Sequence, residues 1–357
     1  MSTLVRGLHH ITVCPAGAQQ DLDFFTGVLG QRLVKQTVLM DGRIPIYHFY
    51  YGNADADMGS ITTSFPYARR PGRVGTGQVT AVTYTVPKGA ASFWTEHFDR
   101  RGAAHGGVQE RFGRRFVRVQ HPAGMLFEMV EDGADTRRPW TTRDVTADVA
   151  ARGFFSAVLS VQDLDIQQQF LVEALGFQKV GSDGPYHRYA VGDGRPGQIV
   201  ELLYEPDRAA GSWGFGAGTA HHVAFQVDSD EALIEQKAMY EELGYTDASE
   251  IKDRYYFHSM YVRSPGGILI ECTANVAGGF CLDEAADELG ARLHLPPWYE
   301  EQRGDILSRL EPVVIPDECR PRRGDVRSAP VHTRDVRAPD IAFSRTKAAF
   351  SPGSRDR

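Results

Sequence analysis

Short apolar runs alternate with amphipathic stretches along the chain, and the alternation repeats. The first run begins at His10 and leads to a helix-like stretch, Asp21-Leu22-Asp23-Phe24-Phe25, which ends at Leu29-Gly30. From Phe154 the plan recurs, with a Val158-Leu159 strand, then Gln168-Gln169-Phe170-Leu171, then Leu175-Gly176. An offset of 146 residues superposes the two Leu-Gly pairs, carries Phe24 onto Phe170 and sets His10 opposite Ser156. A third copy runs from Val79 through Trp94 to Gly102, and a fourth from His222 through Glu231–Leu243 to Gly244. The glycine after each helical stretch fits a left-handed C-cap, where a side chain would clash.

The back halves repeat too. Pro122-Ala123-Gly124-Met125-Leu126-Phe127-Glu128 matches Pro265-Gly266-Gly267-Ile268-Leu269-Ile270-Glu271, each a turn feeding an apolar strand whose carboxylate points away from its bulky neighbours. The pattern predicts an α+β protein of four βαβββ units, residues 5–67, 75–133, 152–206 and 217–275. A polar linker separates the second unit from the third (134–151), and a Pro-interrupted, partly helical cap follows the fourth (276–316). Residues 317–357 are rich in Arg, Pro and Ser without apolar periodicity and read as a disordered basic tail.

Composition narrows the class. The 357 residues suffice for two ordinary domains, and 42% hydrophobic with 24% charged residues is a soluble globular balance. The net charge of −7 is unevenly placed, with ten Lys/Arg against four Asp from Arg320 to Arg357. The chain as a whole has no nucleic-acid footprint, and no apolar run is long enough to span a membrane. The first residues lack a basic-then-apolar leader, and the four cysteines show no CxxC spacing. Reduced thiols in the cytoplasm are expected.

Two histidine doublets carry the candidate chemistry, His9-His10 and His221-His222, each opening a strand-like run, while Glu271 closes another. Two imidazoles and one carboxylate form a donor set that leaves coordination positions open on Fe(II). A single strand histidine more often satisfies a backbone group. Doublets at matching frames of two repeats, with a carboxylate on a third strand, favour a metal site instead. Parity selects His10, which shares a face with Thr12, and His222, which shares one with the small Ala224. Offset matching sets Ala81 opposite His222, and only Glu128 keeps the chemistry of Glu271. One site is therefore expected, and the first and fourth units must share a sheet to build it.

Residues 261 and 271 are equidistant from Gly266 at the centre of the turn, which sets Tyr261 across an antiparallel pair from Glu271. Arg254 reads from the sequence as a solvated loop cation, His48 and His187 as structural or cavity-lining, and His121 as a turn residue. No GxSxG, P-loop or dinucleotide fingerprint occurs.

Leu8-His9-His10-Ile11-Thr12, Asp23-Phe24-Phe25 with Gly30-Gln31-Arg32, Asp41-Gly42-Arg43-Ile44-Pro45-Ile46-Tyr47-His48, Glu205-Pro206-Asp207-Arg208 and Tyr261-Val262-Arg263-Ser264-Pro265-Gly266-Gly267 resemble the para-hydroquinone ring-cleaving dioxygenases. These are of the 2,6-dichlorohydroquinone 1,2-dioxygenase type, within the vicinal oxygen chelate (glyoxalase/bleomycin resistance/extradiol dioxygenase) superfamily. The resemblance spans about residues 5–310. It implies two curved mixed sheets, Fe(II) held by His10, His222 and Glu271, and a site lined by His9, Thr12, His221, Arg254 and Tyr261. It implies a small aromatic substrate opened with O2 to a maleylacetate-type acid, and it leaves a homo-oligomer open. At His258 it leads one to expect an acidic residue, so the pocket or its entrance should differ here. Strand alternation sends His9 and His221 away from the metal unless a strand end or bulge turns them back. The rival readings are catechol-type extradiol cleavage, a glyoxalase-like isomerase, and a binding protein on the same fold.

Overall fold

The computed structural model describes residues 3–39, 44–67 and 70–316. The expected basic tail therefore lies outside the described residues. Among the described residues, sixteen strands form two eight-stranded sheets. The first repeat supplies β1 (Gly7–Cys14), β2 (Arg32–Val38), β3 (Tyr47–Gly52) and β4 (Ile61–Ser64). The second supplies β5 (Gln78–Val86), β6 (His105–Arg111), β7 (Arg114–Gln120) and β8 (Leu126–Glu131). The third supplies β9 (Phe154–Val161), β10 (Gln178–Asp183), β11 (Tyr186–Ala190) and β12 (Ile199–Tyr204). The fourth supplies β13 (Thr219–Gln226), β14 (Lys252–Asp253), β15 (Phe257–Arg263) and β16 (Leu269–Asn275).

Strand order in the first sheet is β14-β15-β16-β13-β1-β4-β3-β2, so the first and fourth repeats share it, as the candidate ligands require. The second and third repeats form the other, in the order β10-β11-β12-β9-β5-β8-β7-β6. Each repeat places one helix between its first and second strands: α1 (Ala18–Asp23), α2 (Ala91–Arg101), α3 (Leu164–Glu173) and α4 (Asp230–Glu242). A π turn, Phe24–Val28, prolongs α1. Gly30, Gly102, Gly176 and Gly244 all have positive φ, between 64° and 87°, so the chain reverses after each helix in the left-handed region.

Alternation along the strands divides two environments. Ile11, Val223, Phe225, Ile270 and Cys272 are buried in the continuous core with Phe24, Phe25, Phe170 and Tyr240. His10, Thr12, His222 and Glu271 occupy the intervening positions and turn to the opposite, concave face. The cap contains α5 (Arg303–Arg309) and is clamped to β2 by Lys35. That ammonium is fully buried and lies 2.8 Å from Asp283 and 2.6 Å from Glu284. Among the described residues, no helix is long and apolar enough to cross a membrane. Cys14, Cys272 and Cys281 are free.

Candidate metal centre

β1 and β13 run antiparallel with two slips in register. Leu8 pairs with Phe225 and His10 with Ala224, leaving His9 extra; Thr12 pairs with His222 and Val13 with Ala220, leaving His221 extra. Each doublet therefore carries a β-bulge, which can bring consecutive side chains to one side of a sheet. This overturns the alternation for His221, whose ring lines the cavity, whereas His9 stays outside the lining, contrary to the site role the resemblance implies for it. His9 Nδ1 lies 2.7 Å from His10 Nδ1, and His221 Nδ1 lies 2.7 Å from His222 Nδ1.

Glu271 pairs in register with Ala224, and Ala224 with His10, so the row His10, Ala224, Glu271 crosses three strands. The small central side chain leaves space over the sheet. His222, two residues before Ala224, closes the group. His10 Nε2 is 3.0 Å from His222 Nε2 and 3.3 Å from Glu271 Oε2, and His222 Nε2 is 2.7 Å from Glu271 Oε2. Among the described residues this is the one cluster of His, Cys, Asp and Glu with the spacing to hold a metal ion.

The donors fit a cation. Glu271 Oε2 is buried and faces only the His222 and His10 Nε2 atoms, so it has no donor when both of these nitrogens are unprotonated; Oε1 accepts from Thr273 Oγ1 at 3.2 Å. Burial lowers the His222 pKa and so keeps its ring neutral. Burial opposes the Glu271 charge, but the facing nitrogens of His222 and His10 outweigh it and hold the carboxyl well below the usual range. Neutral imidazoles and an ionised carboxylate are the protonation states that metal ligation requires.

The outer contacts fix which nitrogen of His10 carries its proton. Asn275 Oδ1 accepts only, and it lies 2.8 Å from His9 Nε2, which must therefore be protonated. Burial and His10 push the His9 pKa down to about 3, so its Nδ1 is an acceptor. His10 Nδ1 then donates to it, and the His10 Nε2 lone pair is left for the centre. His9 thus reaches His10 and Asn275 rather than the cavity. His221 differs, since its ring lines the cavity between Phe215 and Phe65, with centroids 4.5 and 5.7 Å away. Burial drives the His221 pKa well below the ordinary value, so it too is neutral.

The centre opens into a cavity of about 510 Å³ on the concave face. Thr12 Oγ1 lies 2.9 Å from His222 Nε2 and 2.7 Å from Thr63 Oγ1. Tyr261 pairs with Glu271, as the turn spacing predicts, and its ring is 5.6 Å from that of His222. Arg254 is half-buried and lines the cavity, which corrects its reading as a solvated cation. Its Nη2 donates to Tyr261 Oη at 3.3 Å. The next residue, Tyr255, has φ of 70°, a strained turn that sets Arg254 at the mouth of the β14–β15 hairpin. His258 lies outside the lining, with Nδ1 2.7 Å from Asp230 Oδ1. His48 lines the cavity, whereas Asn275, for which the sequence carries no signal, completes the histidine relay.

The second sheet shows the same registers without the site. Ser156 pairs with Thr83 and Thr83 with Glu128, the counterparts of His10, Ala224 and Glu271. Here Arg111 bridges two buried carboxylates, 2.6 Å from Glu128 Oε2 and 2.8 Å from Glu201 Oε2. Arg118 and Arg188 bind their other oxygens, each at 2.6 Å. Guanidiniums satisfy the surviving carboxylate where a metal would be needed.

Comparison with known proteins agrees with this geometry. Residues 153–272 match the family model of the glyoxalase/bleomycin resistance protein/dioxygenase superfamily. The chain is 39% identical over 316 residues to a chlorohydroquinone/hydroquinone 1,2-dioxygenase of Sphingobium indicum, covering 87% of this chain and 98% of the relative. A Bacillus subtilis protein named as a proposed ring-cleaving dioxygenase is 37% identical, over 88% of this chain and 99% of its own. The crystal structure of a proposed dioxygenase from Bacillus subtilis superposes with a TM-score of 0.82 at 36% identity, over 88% of this chain and 99% of that one. Glyoxalase I of Zea mays, at 14% identity and a TM-score of 0.55 over 75% of this chain and 92% of that one, shares the fold. With sheet topology, donor set and full-length similarity in agreement, the chain belongs to the ring-cleaving dioxygenases of the glyoxalase/bleomycin resistance protein/dioxygenase superfamily.

Proposed function

We propose that this chain is an Fe(II)-dependent dioxygenase that opens a para-hydroquinone with O2 to a maleylacetate-type acid in the cytoplasm. The observation that carries the proposal is the His10, His222 and Glu271 donor set, whose two histidines line an aromatic cavity. The name of the Sphingobium indicum relative supports the substrate class. Fe(II) bound there supplies open positions for a phenolic oxygen and O2 and a path for electrons between them.

The side chains divide the remaining work. Phe65, Phe215 and Phe257 line the cavity with aromatic edges and faces that exclude water around a planar ring. A para-dihydroxybenzene presents one oxygen to the centre, because its two oxygens lie too far apart to chelate one ion. His222 donates from Nδ1 to His221 when its Nε2 faces a cation, which leaves the His221 proton on Nε2, on a ring lining the cavity. His221 is therefore the neutral acid that can hand a proton to a substrate oxygen. Arg254 and Tyr261, joined at 3.3 Å, offer a cation and a phenol where negative charge develops on oxygen. Thr12 holds the edge of the His222 ring, and His9 orients His10.

The test is oxygen uptake by the iron-loaded protein with a panel of hydroquinones and catechols. Equimolar consumption of O2 and hydroquinone with formation of a ring-opened acid is expected. Turnover under anaerobic conditions would point to an isomerase, and uptake with catechols alone would refute the para-hydroquinone assignment.

A further inference from the structure

The metal donors occupy one part of the cavity wall, and a histidine stands on another. His48 lies on β3, is 9% exposed and lines the cavity with Leu39, Ile44, Ile46 and Phe65. Its ring is packed against Tyr50 and Phe65, with centroids 4.2 and 4.4 Å away. Nδ1 lies 3.1 Å from Tyr50 Oη, while Nε2 is buried with no hydrogen-bond partner. A buried polar atom left unpaired is costly, so the site favours a ligand group that completes it.

Sheet register locates His48 relative to the centre. Thr12 pairs with Thr63, and Thr63 with Tyr50. Tyr50 thus stands two strands from Thr12, about 10 Å at ~4.8 Å per strand. His48, two residues before Tyr50, shares its face. An aromatic ring with one oxygen at the centre can extend across this interval.

We propose that His48 Nε2 is the subsite for the distal hydroxyl of a para-dihydroxybenzene whose other oxygen is held at the His10, His222 and Glu271 centre. The inference deepens the reading above and rests on it. If Tyr50 donates to Nδ1, then Nε2 carries the proton and requires an acceptor. If Nδ1 donates to Tyr50, Nε2 requires a donor. A hydroxyl is both, so it satisfies either tautomer, whereas an ether or a carboxylate only accepts. A catechol keeps its second oxygen beside the first and leaves Nε2 unpaired. His48 therefore selects the para arrangement.

The experiment compares anaerobic equilibrium binding of hydroquinone and of phenol to the iron-loaded wild type, H48F and H48Q, with iron content measured for each. H48F is expected to weaken hydroquinone about ten- to a hundredfold while phenol binding stays within about twofold. H48Q should recover part of the loss, because its amide both donates and accepts. Equal weakening of both ligands, or unchanged hydroquinone binding in H48F, overturns the assignment, as does a wild type that binds hydroquinone no better than phenol. A wild type that binds hydroquinone tightly yet consumes no O2 with it refutes the dioxygenase reading alone, since the binding comparison needs no turnover.

Discussion

At the scale of single residues, the protonation of the centre is set from behind. Asn275 fixes His9, and His9 fixes His10. Removing an outer partner of a metal-bound histidine commonly costs tenfold to a hundredfold in affinity. His9→Ala should weaken iron binding by about that factor in chelator competition while the fold persists; unchanged affinity would contradict the relay. A second buried acid lies away from the centre. Asp21 accepts from Tyr51 Oη at 2.8 Å and Ser64 Oγ at 2.5 Å, and its Oδ1 faces His121 Nε2 at 3.6 Å. Burial pushes the Asp21 carboxyl up to about 7 against those two donors. The folded chain thus keeps a proton that the unfolded chain releases near pH ~3.9. The associated stability is complete below that pH and is lost as pH rises through about 7. Asp21→Asn stays neutral, so urea unfolding of the metal-free proteins should show the variant gaining about 3 kcal/mol on the wild type between pH 5 and pH 8. A difference independent of pH would show that Asp21 does not titrate in this way.

At the scale of elements, much of the architecture was legible from the chain because it repeats. The Leu-Gly helix ends and the matching Pro-to-Glu turns defined equivalent frames, and those frames singled out His10, His222 and Glu271. The equidistance of 261 and 271 from Gly266 gave the Tyr261 pairing that the sheet shows. A bulge at a doublet was open from the chain alone but could not be placed, because an extra residue in one strand is defined only by its partner strand, some 200 positions away. For the same reason Arg254 read as a surface charge: its burial depends on a hairpin folding back over the cavity. Asn275 carried no signal, since its role exists only through His9. The fate of Glu128 was equally hidden, because Arg111 reaches it from a hairpin end. Breaking a buried ion pair from one side costs about 3–5 kcal/mol. Arg118 and Arg188 remain in place, so Arg111→Met should destabilise the protein by about 3 kcal/mol in denaturant melts and leave iron affinity unchanged. Loss of iron from that variant would mean that the second sheet participates in the centre.

At the scale of the molecule, the two candidate histidine ligands are 212 residues apart and meet because β1 pairs with β13. The other sheet closes in the same way, through β5 and β9. Both closures join the first two repeats to the last two. Residues 1–150 and 151–357 expressed separately should each fail to retain iron, and co-expression should restore it; iron retained by either piece alone would refute a centre shared between the first and fourth repeats. The measurement that tests the central claim most directly is iron per chain in the wild type, E271Q and E128Q, loaded under identical anaerobic conditions. One iron in the wild type and in E128Q, with none in E271Q, is the predicted result. Iron retained by E271Q, or lost from E128Q, would contradict a single centre built from His10, His222 and Glu271.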